Sequence, residues 1–274
     1  MPELPEVEAI RRRLARQITG RRIRAAHVLR AGTVEARPVG FARLVTGRTI
    51  EEVERRGKNL LIGLSGNYTL RVHLRMTGEL LAGEDAREAF EAEEPVKSVR
   101  VWFELGGGCE LVFKDFRGLG RISAATCSEM EQALAPLGPE PLGRRFREDD
   151  FVAQARRSRQ PAKLFLMDQT HVAGLGNIYV AEALFHAGID PRRPMQTVSA
   201  PRLRSLHSAI RTVLRKAVRS ATLLYKRPGT YRQSDVFGRR VYGREGEPCR
   251  VCGREVRRIP QGGRSTYFCP HCQR

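Results

Sequence analysis

The sequence has no apolar run long enough to span a bilayer, and no secretory hydrophobic segment follows Met1. Those absences argue against a membrane-embedded chain and predict a cytoplasmic one. Cysteine is scarce and unevenly spread: of 6 residues, four are bunched between positions 249 and 272, while Cys109 and Cys127 stand apart. That distribution fits a metal site in a reducing compartment better than a disulfide framework. Acidic residues are also in short supply, 30 Asp and Glu against 49 Lys and Arg, giving a net charge of +19 and a pI near 10.7. Such a surplus calls for a polyanionic partner, and without a membrane segment that partner is nucleic acid. Hydrophobic residues make up 41% of the 274 positions, enough for real cores in two domains plus a small appendage.

Along the chain, Val7, Ile10, Leu14 and Ile18 recur at helical spacing, and Arg11, Arg12, Arg13 and Arg16 fill the other side. Pro5 suits the first position of this helix, and Gly20 its stop. Residues 22 to 116 then alternate like β-strands. Leu70, Val72, Leu74 and Met76 are predicted to share one face, and Val99, Val101, Phe103 and Leu105 another, with the glycines at 106–108 turning into a strand over Cys109–Phe113. Two antiparallel sheets packed face to face account for the pattern. The acidic stretch Gly83–Glu94 reads as a flexible, solvated loop facing away from the polyanion. Periodicity stops at Pro136–Gly143, which reads as a linker. Helical patterns follow at roughly 148–156, 161–168, 177–187 and 201–219. A polar connector containing Tyr225, Tyr231 and Arg232 leads to the Cys-bearing end.

Four stretches carry chemistry. Trimming Met1 would expose the Pro2 ring nitrogen as a secondary amine, able to attack a carbon such as a sugar C1′ and form an iminium ion. Glu3 beside it is placed to move protons, although a carboxylate at a helix start is also an ordinary cap. Cys249-Arg-Val-Cys252, sixteen residues, then Cys269-Pro-His-Cys272 is a pair of C-x2-C knuckles spaced for one tetrahedral, structural zinc. An iron–sulfur site or two disulfides are the competing readings. Gly174-Leu-Gly-Asn177 opens a helix, either as a phosphate seat with Asn177 donating or as a helical hairpin capped by Asn177. Arg56-Gly57-Lys58 reads as a hairpin tip presenting an ammonium group. That group suits phosphate, a leaving group, or the nucleophile's role should Met1 be retained.

Met1-Pro-Glu-Leu-Pro-Glu-Val-Glu8, Arg56-Gly-Lys58, Gly174-Leu-Gly-Asn-Ile-Tyr179 and Val241-Tyr-Gly-Arg-Glu-Gly-Glu-Pro-Cys249 occur in an order that resembles the formamidopyrimidine-DNA glycosylase family, which includes the endonuclease VIII (Nei) branch. The resemblance spans essentially the whole chain. It implies an α+β protein: a two-layer antiparallel β-sandwich with an N-terminal helix over 1–132, a linker over 133–147, a helix–two-turns–helix domain over 148–238, and a β-hairpin zinc finger over 239–274. It implies a bifunctional base-excision repair enzyme, monomeric, bacterial, cytoplasmic and associated with the nucleoid. Its partner would be damaged double-stranded DNA. Pro2 would be the nucleophile, Glu3 the general acid/base and Lys58 the hairpin lysine near the flipped nucleotide. Met76, Arg117, Leu119, Lys163, Asn177 and Arg264 would contact DNA, and Cys249, Cys252, Cys269 and Cys272 would bind one structural zinc.

Two features depart from the family pattern. Leu119 stands where the purine-lesion branch places a void-filling Phe, and the Pro-Arg-Arg run has become Phe116-Arg117-Gly118. Leucine fills volume but cannot stack on a base. The connector 220–236 does not closely match the loop that caps 8-oxoguanine. The opening Pro-Glu-Leu-Pro-Glu favours oxidised purines as substrates, with oxidised pyrimidines the alternative within the family. A non-catalytic zinc-dependent nucleic-acid-binding protein is the alternative outside it.

Overall fold

The computed structural model describes residues 2–91, 98–224 and 238–274. Glu93, Glu94, Tyr225, Tyr231 and Arg232 lie outside the described residues, as does Met1. The described chain divides into two compact units, 2–136 with 221–224, and 137–220 with 238–274.

In the first unit α1 (Leu4–Ile18) starts one residue before Pro5 and ends ahead of Gly20, whose φ of +81° terminates it without strain. Its apolar face, Val7, Ile10, Leu14 and Ile18, is fully buried. The other side is less uniform than its arginines suggest. Arg13 reaches Leu80 O at 3.0 Å and Asp85 at 3.4 Å, and Arg11 reaches Val53 O at 3.3 Å. The next elements are β1 (Ile23–Val28), α2 (Pro38–Val45), β2 (Ile50–Arg56), β3 (Asn59–Leu64), β4 (Tyr68–His73), β5 (Gly78–Ala82), α3 (Glu84–Glu91), β6 (Val99–Leu105), β7 (Cys109–Asp115), β8 (Arg121–Thr126) and α4 (Cys127–Leu134). The strands form two antiparallel sheets, ordered β1-β6-β7-β5 and β2-β3-β4-β8. Leu60, Ile62, Leu70, Val72 and Ile122 of one sheet share a core with Leu80, Val101, Phe103, Leu111 and Phe113 of the other. The expected sandwich is therefore present.

Two expectations are corrected. Part of the acidic stretch is a helix, not a loop. Ala86 of α3 is buried with Leu81, Val99 and Val112 on the outer side of the β1-β6-β7-β5 sheet, and Asp85 faces Arg13. Glu84 and Asp85 in its first turn suit the helix dipole, so acidity here supports the helix. The alternation through Met76 also fails. β4 ends at His73, Arg75 takes φ +55°, and Gly78 N closes a turn onto Leu74 O at 2.9 Å. Leu74 stays buried, while Met76 is 41% exposed. A Cβ on Gly78 would come within 2.4 Å of Leu74 O, so the turn needs glycine there.

The second unit contains α5 (Glu148–Arg156), α6 (Ala162–Met167), α7 (Asn177–His186) and most of α8 (Ala200–Leu224), then the hairpin β9 (Arg257–Gln261) and β10 (Arg264–Phe268). Leu203, Leu206, Ile210, Val213 and Leu214 form the buried stripe of α8. Phe146 stacks on His207, 4.5 Å between ring centroids, and packs edge-on against Phe151. No helix among the described residues is long and apolar enough to cross a membrane.

Candidate active site and nucleic-acid interface

The chain start is fixed by a reciprocal cap. Glu3 is the N-cap of α1; its carboxylate accepts the backbone N–H of Glu6, and the Glu6 carboxylate accepts the N–H of Glu3 at 2.8 Å. Both side chains are buried. The cap therefore holds Pro2, one residue upstream and half-buried, directly ahead of the helix's positive end.

The turn carrying Lys58 is tied to the same helix. Gly57 takes φ +59°, as the first residue of two-residue hairpins often does, and Arg56 pairs with Asn59 across it. Arg55 donates to Gly57 O at 2.9 Å and to Glu8 Oε2 at 3.2 Å, so Glu8 of α1 reaches the Lys58 turn through one guanidinium. Burial pushes the Glu8 pKa up, but hydrogen bonds from Arg11 and Arg12 and the Arg55 charge outweigh it and hold the carboxyl below its usual value. His73 stands opposite Asn59 in the strand register. Burial, with the Arg75, Lys58 and Arg71 charges, drives its pKa down to about 4, so its ring is neutral at physiological pH. Its Nδ1 accepts the N–H of Arg75 at 3.2 Å. Neither Glu8 nor His73 stands out as a site residue in sequence. Their only signals are a carboxylate beyond the first helical turn and a histidine on the basic side of an alternating strand.

Met76, Arg117 and Leu119 come together through buried Asp115. Asp115 accepts the Thr77 hydroxyl and the N–H of Arg117 on Oδ1, and the N–H of Gly120 at 2.6 Å on Oδ2. Thr77 Oγ1 also accepts the Arg117 N–H at 3.1 Å. The two loops are thereby pinned side by side, with Met76 and Leu119 exposed.

In the second unit, Lys163, Asn177 and Arg264 gather at the finger hairpin. Asn177 does not cap α7. Gly176 is the N-cap, and the Asn177 amide donates to Ser265 O at 2.9 Å from the first helical position. Lys163 departs from the expected direct DNA contact. It is 1% exposed, and its ammonium donates to Thr266 Oγ1 at 2.6 Å and Ser265 O at 3.1 Å. Burial first, then the Arg264 charge, lower its pKa to about 8. Its ammonium is thus turned onto the hairpin. Arg264 itself is exposed just after the Gly262-Gly263 turn, with Arg257 and Arg258 exposed on the facing strand.

The four C-terminal cysteines lie with every Sγ within 4.8 Å of the others. A tetrahedral zinc with Zn–S bonds of about 2.3 Å spaces its sulfurs roughly 3.8 Å apart. The separations of 3.9 Å for Cys249–Cys272 and 3.5 Å for Cys252–Cys269 fit that cage. They are too long for disulfides, whose S–S bond is about 2.05 Å. Nearby, fully buried Glu182 accepts the N–H groups of Arg240, Val241 and Tyr242 at 2.8 to 3.0 Å, fastening the finger's leading segment to α7. Sequence reading did not identify Glu182, because a lone Glu in an apolar helix gives no sign of its partners.

Residues 1–122 match the family model of the formamidopyrimidine-DNA glycosylase N-terminal domain, 137–226 that of its H2TH domain, and 246–274 that of a zinc finger found in FPG and IleRS. A formamidopyrimidine-DNA glycosylase of Ruegeria pomeroyi is 41% identical over the whole of both chains. The Lactococcus lactis enzyme, solved non-covalently bound to DNA containing an AP site, aligns with a TM-score of 0.87 and 32% identity over 99% of each chain. A MutM complex with DNA containing carbocyclic 8-oxo-G aligns with a TM-score of 0.88 and 31% identity over 99% of each chain.

Proposed function

The chain belongs to the formamidopyrimidine-DNA glycosylase family, and on that premise we propose how its residues perform the reaction. The protein is a DNA glycosylase of base excision repair with AP lyase activity, acting on oxidised purines in double-stranded DNA. One structural zinc is held by Cys249, Cys252, Cys269 and Cys272. The observation that carries the mechanism is Pro2 placed one residue ahead of the Glu3–Glu6 cap.

With Met1 removed, the Pro2 nitrogen attacks C1′ of the extruded nucleotide. The bond from C1′ to the base breaks, its electron pair leaves with the base, and the base takes up a proton. Glu3 delivers a proton to O4′ as the sugar ring opens, and the amine loses its own proton to give the iminium. This electron sink acidifies C2′. Loss of that proton expels the 3′ phosphate, a second elimination expels the 5′ phosphate, and water then releases Pro2. Lys58 holds phosphate near the flipped nucleotide. Arg264 and Asn177 hold phosphate in the second unit, where Lys163 sets the finger hairpin from behind. Met76, Arg117 and Leu119 occupy the space that the nucleotide leaves. The enzyme works as a monomer in the bacterial cytoplasm, on the nucleoid.

Borohydride reduction during incubation with AP-site DNA tests this chemistry directly. The expected result is a covalent adduct on an N-terminus that mass determination shows to be Pro2. A chain that retains Met1 and nicks damaged duplexes at full rate would overturn it. Duplexes carrying 8-oxoguanine, ring-opened guanine or 5-hydroxyuracil test the substrate. Cleavage of the pyrimidine lesion alone would reverse the assignment to purines.

A further inference from the structure

Phe116 is 81% exposed, more than any other large hydrophobic residue among those described. A solvated aromatic ring carries an unfavourable hydration term that folding normally removes. The backbone beneath it is held from several sides. Arg100 donates to Asp115 O at 2.7 Å and to Phe116 O at 3.2 Å. Arg121 donates to Gly118 O at 3.1 Å and to Gly120 O at 2.8 Å. Asp115 takes the N–H groups of Arg117 and Gly120 from inside the turn. Gly118 has φ +66°, a conformation that suits glycine. The turn is thus built rigidly, and it displays Phe116, Arg117 and Leu119 alongside Met76.

The partner of this face is duplex DNA, and an enzyme that extrudes a nucleotide must fill and prop open the gap it leaves. Met76 and Leu119 supply volume and Arg117 supplies charge, but none of the three offers an aromatic face for a base. Phe116 does, from the same pinned turn. We infer that Phe116 is the aromatic wedge of this enzyme, entering the base stack of the lesion-bearing duplex and stacking on a base beside the vacated site. It is a positioning residue, acting on the duplex and not on the reacting atoms. The inference rests on the glycosylase reading above.

The test compares Phe116→Ala, Phe116→Trp and wild type in two reactions: single-turnover excision from an 8-oxoguanine duplex, and nicking of a single-stranded AP-site oligonucleotide, which has no stack to open. Phe116→Ala is expected to slow duplex excision by at least five-fold more than single-strand nicking, at unchanged Tm. Phe116→Trp is expected to restore duplex excision to within three-fold of wild type. Its added emission should be quenched by the lesion duplex, read against the single native Trp102, which is stacked on His27. A smaller duplex-specific loss, or Trp emission unchanged on binding, overturns the wedge. Wild-type protein inactive on both substrates overturns the glycosylase reading itself.

Discussion

The Glu3 N–H donates to the Glu6 carboxylate at 2.8 Å while the Glu6 N–H is held by the Glu3 carboxylate. The residue proposed to carry the proton is therefore also the residue that caps the start of the helix. Moving either carboxylate gives up the partner residue's backbone N–H, directly downstream of Pro2.

Replacing Glu6 with alanine removes half of this reciprocal pair while leaving Pro2 and Glu3 in the sequence. Stability should fall by about 1 kcal/mol, as for loss of a helix cap. Excision should fall by more than ten-fold, because misplacement of about 1 Å can cost on the order of a hundred-fold in rate. Thermal unfolding and single-turnover excision of 8-oxoguanine measure the two effects. A lowered Tm with full excision would make the cap structural only.

Glu3→Gln keeps a capping oxygen but cannot give up a carboxylic proton. Base excision should be lost, while nicking of a preformed AP site should persist, since the AP sugar already opens to its aldehyde without a proton delivered to O4′. Parallel assays on the two duplexes check this. Equal loss on both would mean that Glu3 acts after the sugar ring has opened.

His73 gives the stability a pH signature. Its folded pKa lies near 4, below the ordinary 6.5. Between those values the unfolded chain binds the extra proton, so stability is whole above pH 6.5 and is lost as pH falls towards 4. The contribution is on the order of 2 kcal/mol after solvent screening. His171 and His186 are shifted the same way, so the difference between wild type and His73→Gln isolates this residue. Chemical denaturation at intervals from pH 7 to 4 should show the wild type losing stability relative to the variant as the solution becomes acid. Parallel curves would clear His73.

Cys269→Ser should release zinc and loosen the hairpin that Lys163 and Asn177 hold, weakening duplex binding by at least a hundred-fold. Metal analysis and titration at several salt concentrations check this. The variant should also show a shallower salt slope, since phosphate contacts made by Arg264 would be missing. Unchanged affinity without metal would remove the finger from the interface.

Glu182→Ala would leave three backbone N–H groups near α7 without their acceptor. The expected loss is roughly 3 kcal/mol, read from urea unfolding.

Much of this architecture can be read from periodicity. The two-residue alternation of Val99–Leu105 and the helical spacing of Val7, Ile10, Leu14 and Ile18 each encode a buried face, and burial follows. The metal cluster is legible too, because two C-x2-C pairs declare their chemistry locally and the four sulfurs do gather. What sequence cannot show is what a side chain meets across the fold. Lys163 has the composition of a phosphate ligand, yet Thr266, distant in sequence, takes its ammonium inside. The acidic residues of α3 suggest a solvated loop until Ala86 is seen to anchor the helix. Met76 fits an alternating pattern that Arg75 interrupts with a left-handed backbone.

Asp115 grips its loop from the interior, and the bonds its carboxylate makes there go to backbone N–H groups and to the Thr77 hydroxyl. Support and display are thereby separate. Exchanging the exposed side chains at 116, 117 and 119 would leave those bonds in place, so the tip can change its chemistry while the knuckle beneath keeps its shape.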